Sequence, residues 1–119
     1  MSLPQFDIEA AARRINEENR KEDERAAARR EAAQTEARTI AAEFRARDAT
    51  IRLIWCFGST FDMSRPYRMD SDIDIAIEGG DILELVSITE ASTFSVDLID
   101  ITECEDEFAR LVREFGTLV

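Results

Sequence analysis

The sequence predicts an α+β fold, in which a small mixed sheet of three to four strands is flanked by helices and follows a long N-terminal helix. Residues 7–48 contain neither glycine nor proline and are rich in alanine, glutamate and arginine, which favour helices. After Thr50, short apolar runs alternate with amphipathic segments, as strands and helices do in a small core. A length of 119 residues fits one domain, which we divide into a helical extension, 1–35, and a sheet-containing part, 36–119.

The predicted N-terminal helix has few large apolar side chains. Ile8 and Ile15 lie near its start, Ile40 and Phe44 lie near its end, and between residues 16 and 39 the apolar side chains are all alanines. An isolated helix this polar has little packing to hold it. Three interpretations stay open: a solvated helix that docks through Ile40 and Phe44 alone, an interaction arm that pairs with a second copy or a partner chain, and a charged segment that frays.

The second half of the chain predicts alternating strands and helices, because its apolar runs are short and are interrupted by glycine and proline. We expect strands at 51–57, 72–77, 95–101 and 117–119, and helices at 59–64, 81–91 and 103–115. The core that these elements form is small, so docking of the Ile40 and Phe44 end of the first helix is needed to complete it.

Charge is distributed unevenly along the chain. Residues 1–50 carry 11 acidic and 10 basic side chains, whereas residues 51–119 carry 15 acidic and 5 basic ones. Such an excess repels nucleic acid phosphates unless cations intervene, so we expect a magnesium-type cation and no nucleic acid partner. The chain has no histidine, which excludes Ser-His-Asp and Cys-His catalysis and histidine-ligated zinc.

The sequence is typical of a cytoplasmic protein. It has no apolar run approaching the roughly 18 residues of a membrane span, and its first residues lack a signal-peptide pattern. Its two cysteines, Cys56 and Cys104, have no motif spacing, which fits a reducing compartment. We predict that both are buried or idle thiols.

Asp72 and Asp74 are separated by one residue on a predicted strand. Residues i and i+2 of a strand face the same side roughly 6.6 Å apart, and two charges at that distance repel by about 2.5 kcal/mol at an effective dielectric constant of about 20. A divalent cation between them reverses the sign of that energy, and magnesium prefers such oxygen ligands. The alternative is a pair of solvated aspartates at the edge of a strand.

Gly58 and Ser59 follow the first predicted strand. A glycine there permits close approach of the backbone, and a following helix N-terminus offers N–H groups to an anion. Ser59 adds a hydroxyl donor. The alternative is a glycine turn with a serine N-cap, but beside a carboxylate pair the same turn favours a nucleotide–metal site.

Three segments taken together, Gly58-Ser59, Ser71–Ile75 and Val96–Leu98, resemble the minimal nucleotidyltransferases of the DNA polymerase β superfamily. The resemblance runs from about Phe44 to the C-terminus. Residues 60–71, between the Gly-Ser pair and Asp72, form a longer segment than is typical of the family. This segment has Phe61-Asp62-Met63 where the family has a small residue followed by Arg-Gly.

The resemblance implies a polymerase-β-like nucleotidyltransferase fold and assigns a role to each site residue. Gly58 and Ser59 would hold the triphosphate of an NTP, expected to be ATP, and Asp72 and Asp74 would coordinate two Mg²⁺ ions. Asp97 would complete the carboxylate set and help to activate an acceptor hydroxyl. Alternation along the strand does not choose between Asp97 and Asp100, which face opposite sides, whereas the family position favours Asp97.

The negative charge of Asp62 near the phosphate seat would be offset by an arginine of the same loop. Arg65 and Arg68 are both candidates, and we predict Arg68 as the phosphate contact. The alternative is that both are solvated loop arginines.

Small proteins of this family are often paired with an all-helical HEPN-type protein as toxin and antitoxin. The resemblance therefore implies transfer of AMP to a hydroxyl of such a partner, with release of pyrophosphate. Transfer to a small hydroxylated molecule is a second enzymatic reading, although no acceptor domain is visible in the sequence. A different class of function is a binding module that neutralises its partner by contact, with the N-terminal helix as the grip or as the interface of a homodimer.

Overall fold

The computed structural model describes residues 7–119. Residues 1–6, the first part of the predicted extension 1–35, lie outside the described residues. The helices are α1 (Ile8–Arg47), α2 (Ile82–Glu90) and α3 (Asp106–Phe115), and the strands are β1 (Leu53–Phe57), β2 (Ile73–Glu78), β3 (Val96–Asp100) and β4 (Thr117–Leu118). Single 3-10 turns follow β1 at Gly58–Thr60 and β3 at Ile101–Glu103.

The four strands form one mixed sheet in the order β3-β2-β1-β4. β1 pairs antiparallel with β2 and with β4, whereas β2 and β3 are parallel and are joined by the crossover through α2. The predicted mixed sheet of three to four strands flanked by helices is confirmed. Because β2 is central and largely apolar, it buries Ile73, Ile75 and Ile77 completely.

Each face of the sheet packs against different helices. On one face, α1 and α2 cover a cluster that includes Phe44, Ile54 and Leu85. On the other face, α3 covers a smaller cluster that includes Trp55 and Val112. Alternation along β2 therefore turns its isoleucines toward α1 and α2 and turns Asp74 and Ala76 toward the side of α3.

Helix α1 is the longest element, with 40 residues, which corresponds to about 60 Å at 1.5 Å per residue. Asp7 caps its start, because the carboxylate accepts a hydrogen bond from the amide of Ala10 at 2.9 Å. Every residue from 12 to 25 is exposed, so this part of the helix extends away from the sheet. The docked part buries Ala33, Ala37 and Ala41 as well as Ile40 and Phe44, so docking extends further along the helix than the two large residues predicted.

Two predicted helices differ from the observed ones. The helix expected at 59–64 is a single 3-10 turn that ends at Thr60, because Asp62 forms a side-chain turn by accepting a hydrogen bond from the Ser64 amide at 3.0 Å. The helix expected at 103–115 begins at Asp106, because Asp100 caps a separate 3-10 turn ahead of it.

No helix within residues 7–119 combines the length and the apolar character that crossing a bilayer requires.

Candidate functional site

Asp74 and Asp97 are brought together by the parallel pairing of β2 and β3. Their Cα atoms are direct partners in the register of the two strands, and both side chains lie on the side of the sheet that α3 occupies. Residues directly opposite each other on paired strands lie about 5 Å apart, which is close enough for their side chains to interact. The sequence predicted that these residues lie on two separate strands, and the observed strand register shows that they are neighbours.

Asp72 lies just before β2 and is exposed. Its backbone carbonyl accepts a hydrogen bond of 3.5 Å from the hydroxyl of Thr60, which is fully buried. Thr60 thus ties the 3-10 turn after β1 to the start of β2. Sequence reasoning did not single out Thr60, since nothing in its local pattern distinguishes it from a solvated loop threonine.

The electrostatics of the cluster are concentrated on Asp74. The pKa of its carboxyl group is raised to about 6, chiefly by burial and then by the negative charge of Asp97, a hydrogen bond with Asp97 and the negative charge of Asp72, while the positive charge of Arg65 acts in the opposite direction. An aspartate whose neighbours disfavour its charged form has a specific reason to accept a cation.

Gly58 allows the Asp74 carboxylate to approach the backbone. A Cβ atom at position 58 would lie 2.5 Å from the nearer Asp74 carboxylate oxygen, so any side chain there would force that carboxylate to move. The φ angle of Gly58 is also +76°, in the left-handed region that favours glycine. Both constraints favour glycine at this position, and the close approach joins the turn to the Asp74 carboxylate.

Ser59 lies in the 3-10 turn beside Gly58 and is partly exposed. The turn is only three residues long, so the helix N-terminus that we expected to bind phosphate is not formed. Any anion here would have to bind to the Ser59 hydroxyl, to the turn backbone and to neighbouring cations.

A pocket of about 800 Å³ opens next to Gly58, between the 3-10 turn, the loop after it and helix α3. Its walls are largely aromatic and aliphatic: Phe57, Phe61, Phe108, Leu111 and Phe115. The rings of Phe57 and Phe108 meet edge to face, with centroids 5.8 Å apart. This volume and this lining are typical of small-molecule sites, which are mostly apolar with a few polar groups at one side.

Two arginines of the loop after the 3-10 turn have different surroundings. Arg65 lines the pocket and carries a positive charge within reach of Asp74. The side chain of Arg68 is 78% exposed and pairs with Asp70 at 3.5 Å. Both arginines are exposed, but Arg65 lines the pocket, whereas Arg68, the arginine we predicted, pairs with Asp70 instead.

Asp97 and Asp100 lie on opposite sides of β3, as alternation predicted. The carboxylate of Asp100 accepts a hydrogen bond of 3.0 Å from the Thr102 amide and so caps the following turn. The Asp100 carboxylate is therefore occupied in capping this turn and is not part of the carboxylate cluster. Asp97 is the register partner of Asp74, so strand pairing separates Asp97 from Asp100, which alternation alone did not do.

Both cysteines are free thiols. Cys56 is fully buried, and burial together with the negative charge of Asp74 raises the pKa of its thiol to about 12. The prediction of buried or idle thiols is confirmed for Cys56 in its burial. Cys104 is partly buried, and its sulfur lies 3.4 Å from the carbonyl oxygen of Asp100.

The carboxylates of the candidate site are oxygen ligands, the type that magnesium prefers. Within residues 7–119, no group of three or more aspartate, glutamate or cysteine side chains is arranged closely enough to hold a metal ion. Asp74 and Asp97 are partners in the strand register. Since magnesium is usually bound through one or two carboxylates plus substrate phosphates, this carboxylate pair fits the ion in type and in number.

Comparisons with known proteins identify the fold. No family model matches the chain, and neither does any curated protein. The chain is similar to a crystal structure of a toxin–antitoxin with AMP-PNP, with a TM-score of 0.56 and 28% identity over 69% of this chain and 70% of that one. It is also similar to a mutant of the toxin–antitoxin MntA-HpeT, with a TM-score of 0.54 and 26% identity over the same shares.

The fold is that of a nucleotidyltransferase-like toxin–antitoxin protein. The predicted fold class is therefore confirmed. Both similar structures are toxin–antitoxin proteins, and the second is MntA-HpeT, which agrees with the resemblance seen in the sequence.

Proposed function

We propose that this protein is a magnesium-dependent nucleotidyltransferase that moves a nucleoside monophosphate from an NTP, expected to be ATP, to a hydroxyl group. The observation that carries the proposal is the packing of three residues: Asp74 lies in register with Asp97 and against the backbone of Gly58. Gly58 also lines an apolar pocket, so the carboxylate that packs against it is one residue removed from that pocket. In a chain without histidine, carboxylates that hold metal ions can support such a transfer.

We assign to the site residues the roles that the family resemblance implies. Asp72, Asp74 and Asp97 would hold the two Mg²⁺ ions, which when bound would neutralise charge on the phosphates and on the carboxylates. Gly58 and Ser59 would receive the triphosphate through the turn backbone and the serine hydroxyl. The aromatic pocket beside Gly58 has room for a nucleoside. Arg65, which lines the pocket, would add a positive charge to the phosphates, a role that we had predicted for Arg68.

In the proposed reaction, the acceptor oxygen forms a bond to the α-phosphorus while the bond from that phosphorus to the bridging oxygen breaks. Pyrophosphate leaves with the electron pair of the broken bond. The hydroxyl proton passes to a carboxylate of the cluster, for which Asp97 is exposed and therefore accessible, and then to solvent.

The two similar structures support nucleotide binding and a protein partner. One of them was crystallised with AMP-PNP, a nucleotide analogue. The other carries two Asp-to-Glu substitutions at positions separated by one residue, which is also the spacing of Asp72 and Asp74. We propose that the acceptor is a hydroxyl of a HEPN-type partner protein, and that the protein acts in the cytoplasm.

The exposed part of α1 is the proposed contact region for a partner or for a second copy in a homodimer. It extends over residues 12–25 without contacting the sheet. We keep the division into an extension, 1–35, and a nucleotidyltransferase domain, 36–119, as a proposal, although the docked contacts of α1 begin before residue 36.

One observation favours a second function, a binding module that neutralises its partner by contact alone. Within the described part of the chain, the carboxylates do not form a group of three, and Asp62 adds a negative charge to the loop after Gly58-Ser59. A protein with a site weakened in this way would keep its fold and its partner binding but would lose nucleotide transfer.

The test is to incubate the full-length protein with radiolabelled ATP and magnesium, with and without a co-expressed partner protein. The proposed enzyme labels its partner and releases pyrophosphate, and Asp97→Asn abolishes both. Stable partner binding with no label in either protein would leave the binding module as the function.

A further inference from the structure

Helix α1 holds the loop that follows the 3-10 turn. Three α1 residues spaced four apart face this loop on successive helical turns: Arg30, Gln34 and Arg38. The Gln34 amide donates a 2.9 Å hydrogen bond to the Thr60 carbonyl. The guanidinium of Arg38 lies over the ring of Phe61, 5.1 Å from its centroid. The helix therefore fixes the first two residues after Ser59.

Arg30 makes the most extensive of these contacts. Its guanidinium donates a hydrogen bond to the backbone carbonyl of Arg65 and lies over the Tyr67 ring, 5.3 Å from the centroid. A second nitrogen of the guanidinium lies 3.6 Å from the sulfur of Met63. One side chain of α1 thus contacts three residues of the loop, in a segment whose backbone forms no helix or strand.

The loop has few other contacts near Arg65. Met63, Ser64, Arg65 and Pro66 are all exposed, and the backbone amide of Arg65 bonds only within the loop, to the carbonyl of Asp62 at 3.1 Å. Loops with exposed hydrogen bonds and few buried contacts open readily. The position of the Arg65 guanidinium beside the pocket and the carboxylates therefore depends on what holds its backbone.

We propose that Arg30 is a positioning residue for the nucleotide site, because its hydrogen bond to the Arg65 carbonyl holds the Arg65 side chain at the pocket beside Gly58. The inference rests on the proposed nucleotidyltransferase function, which it deepens by making α1 part of the site. The ligand whose binding would depend on Arg30 is the triphosphate of an NTP, because Arg30 positions Arg65 and Arg65 is the proposed phosphate contact.

The chain provides a matched control in the preceding residue. Arg29 is also a partly buried α1 arginine that lies over an aromatic ring, 3.7 Å from the centroid of Phe94. Phe94 precedes β3 and lies outside the loop that carries Arg65. Arg29→Ala and Arg30→Ala therefore each remove an arginine–ring contact from the same helix, but only the second change removes the hydrogen bond to the Arg65 carbonyl.

The first experiment measures the affinity of the full-length protein for ATP with magnesium by calorimetry. We expect Arg30→Ala and Arg65→Ala each to weaken binding about tenfold, as the loss of one hydrogen bond to a charged group would, and Arg29→Ala to change it by less than about twofold. In the Arg65→Ala background, Arg30→Ala should add less than about twofold. Arg30→Lys should restore part of the affinity, because an ammonium can still donate to the Arg65 carbonyl.

Additive losses in the double variant, or equal losses in Arg29→Ala and Arg30→Ala, would show a general effect on stability and would overturn the proposal.

The second experiment does not depend on nucleotide. Hydrogen–deuterium exchange of the ligand-free protein should accelerate over residues 61–67 in Arg30→Ala and not in Arg29→Ala. Unchanged exchange in Arg30→Ala would overturn the positioning role. If wild-type protein binds no ATP, the proposed function fails and Arg30 has no nucleotide to act on, whereas faster exchange in the loop would still establish the contact between α1 and Arg65.

Discussion

Asp74 and Asp97 are register partners on the two parallel strands of the sheet, so two carboxylates of separate sequence segments face the same side at the same height. Their mutual repulsion, added to burial, accounts for the raised pKa of Asp74. A single strand pairing thus produces the electrostatic feature on which the proposed site depends, and it gives the protein a dependence on pH.

Replacement of Asp74 should reveal this repulsion. Because the folded pKa of about 6 lies above the ordinary 3.8, folding is penalised progressively as the pH rises from about 4 through 6, and the penalty is complete above 6. We expect Asp74→Asn to stabilise the ligand-free protein by about 1 kcal/mol at pH 7.5, a value reduced by solvent screening of a half-buried group, and by nothing at pH 3.5. Chemical denaturation at both pH values measures the difference.

The exposed Asp70 provides the control for that measurement, since Asp70→Asn should alter stability at neither pH. A neutral or destabilising effect of Asp74→Asn at pH 7.5 would contradict the proposed repulsion.

Gly58→Ala should destabilise the protein by about 1–3 kcal/mol, because it combines a left-handed φ with a contact of 2.5 Å to the Asp74 carboxylate. In an Asp74→Ala background the carboxylate is absent, so only the backbone strain remains and the cost should be smaller. Denaturant unfolding of the four proteins of this double-mutant cycle gives the coupling energy. A cost of the same size in both backgrounds would mean that Gly58 and Asp74 are not in contact.

Asp97 and Asp100 provide a matched pair for catalysis. Asp97→Asn should abolish transfer of labelled AMP while leaving most of the ATP affinity, because its proposed role begins when the hydroxyl attacks. Asp100→Asn should change neither, since asparagine can still cap the turn at Thr102. Loss of transfer in Asp100→Asn with normal transfer in Asp97→Asn would reverse the assignment.

Two truncations test where the helical extension ends. Deletion of residues 1–25 removes mainly exposed helix and should leave the free energy of unfolding of the remaining chain nearly unchanged. Deletion of residues 1–35 also removes the buried Ala33 and the contacts of Arg30 and Gln34, so it should cost about 2–3 kcal/mol. Equal stability of the two truncated proteins would place the boundary at residue 35, as the sequence predicted.

The order and type of the main elements could be predicted from sequence because each has a strong local signal. The glycine-free, alanine-rich segment predicted α1, and the alternation of Asp72–Ile77 predicted β2 and the face of Asp74. The 3-10 turn at Gly58–Thr60 was predicted as a longer helix, because the side-chain turn at Asp62 competes with helix formation and has only a weak sequence signal.

The sequence predicted the carboxylates of the candidate site, but it was a poorer guide to the arginines beside them. Asp74 and Asp97 follow from motif and alternation, but their register depends on strand pairing, which sequence does not specify. The proposed role of Arg65 in place of Arg68 depends on its position at the pocket and on a contact with α1, about 35 residues away in sequence, which no local pattern reveals. The role of Thr60 likewise depends on hydrogen bonds with Gln34 and Asp72, which are distant in sequence.

The central claim is that the carboxylates and the Gly58-Ser59 turn form one nucleotide–metal site, and calorimetry of ATP binding with and without magnesium tests it most directly. Wild-type protein should bind ATP only with magnesium, and the Asp72→Asn/Asp74→Asn protein should lose that dependence while remaining folded. Ser59→Ala should weaken binding by about 10- to 100-fold, the value of a hydrogen bond to a charged group. ATP binding that is identical in the wild-type and double-variant proteins, or no binding by wild type with magnesium present, would contradict the claim.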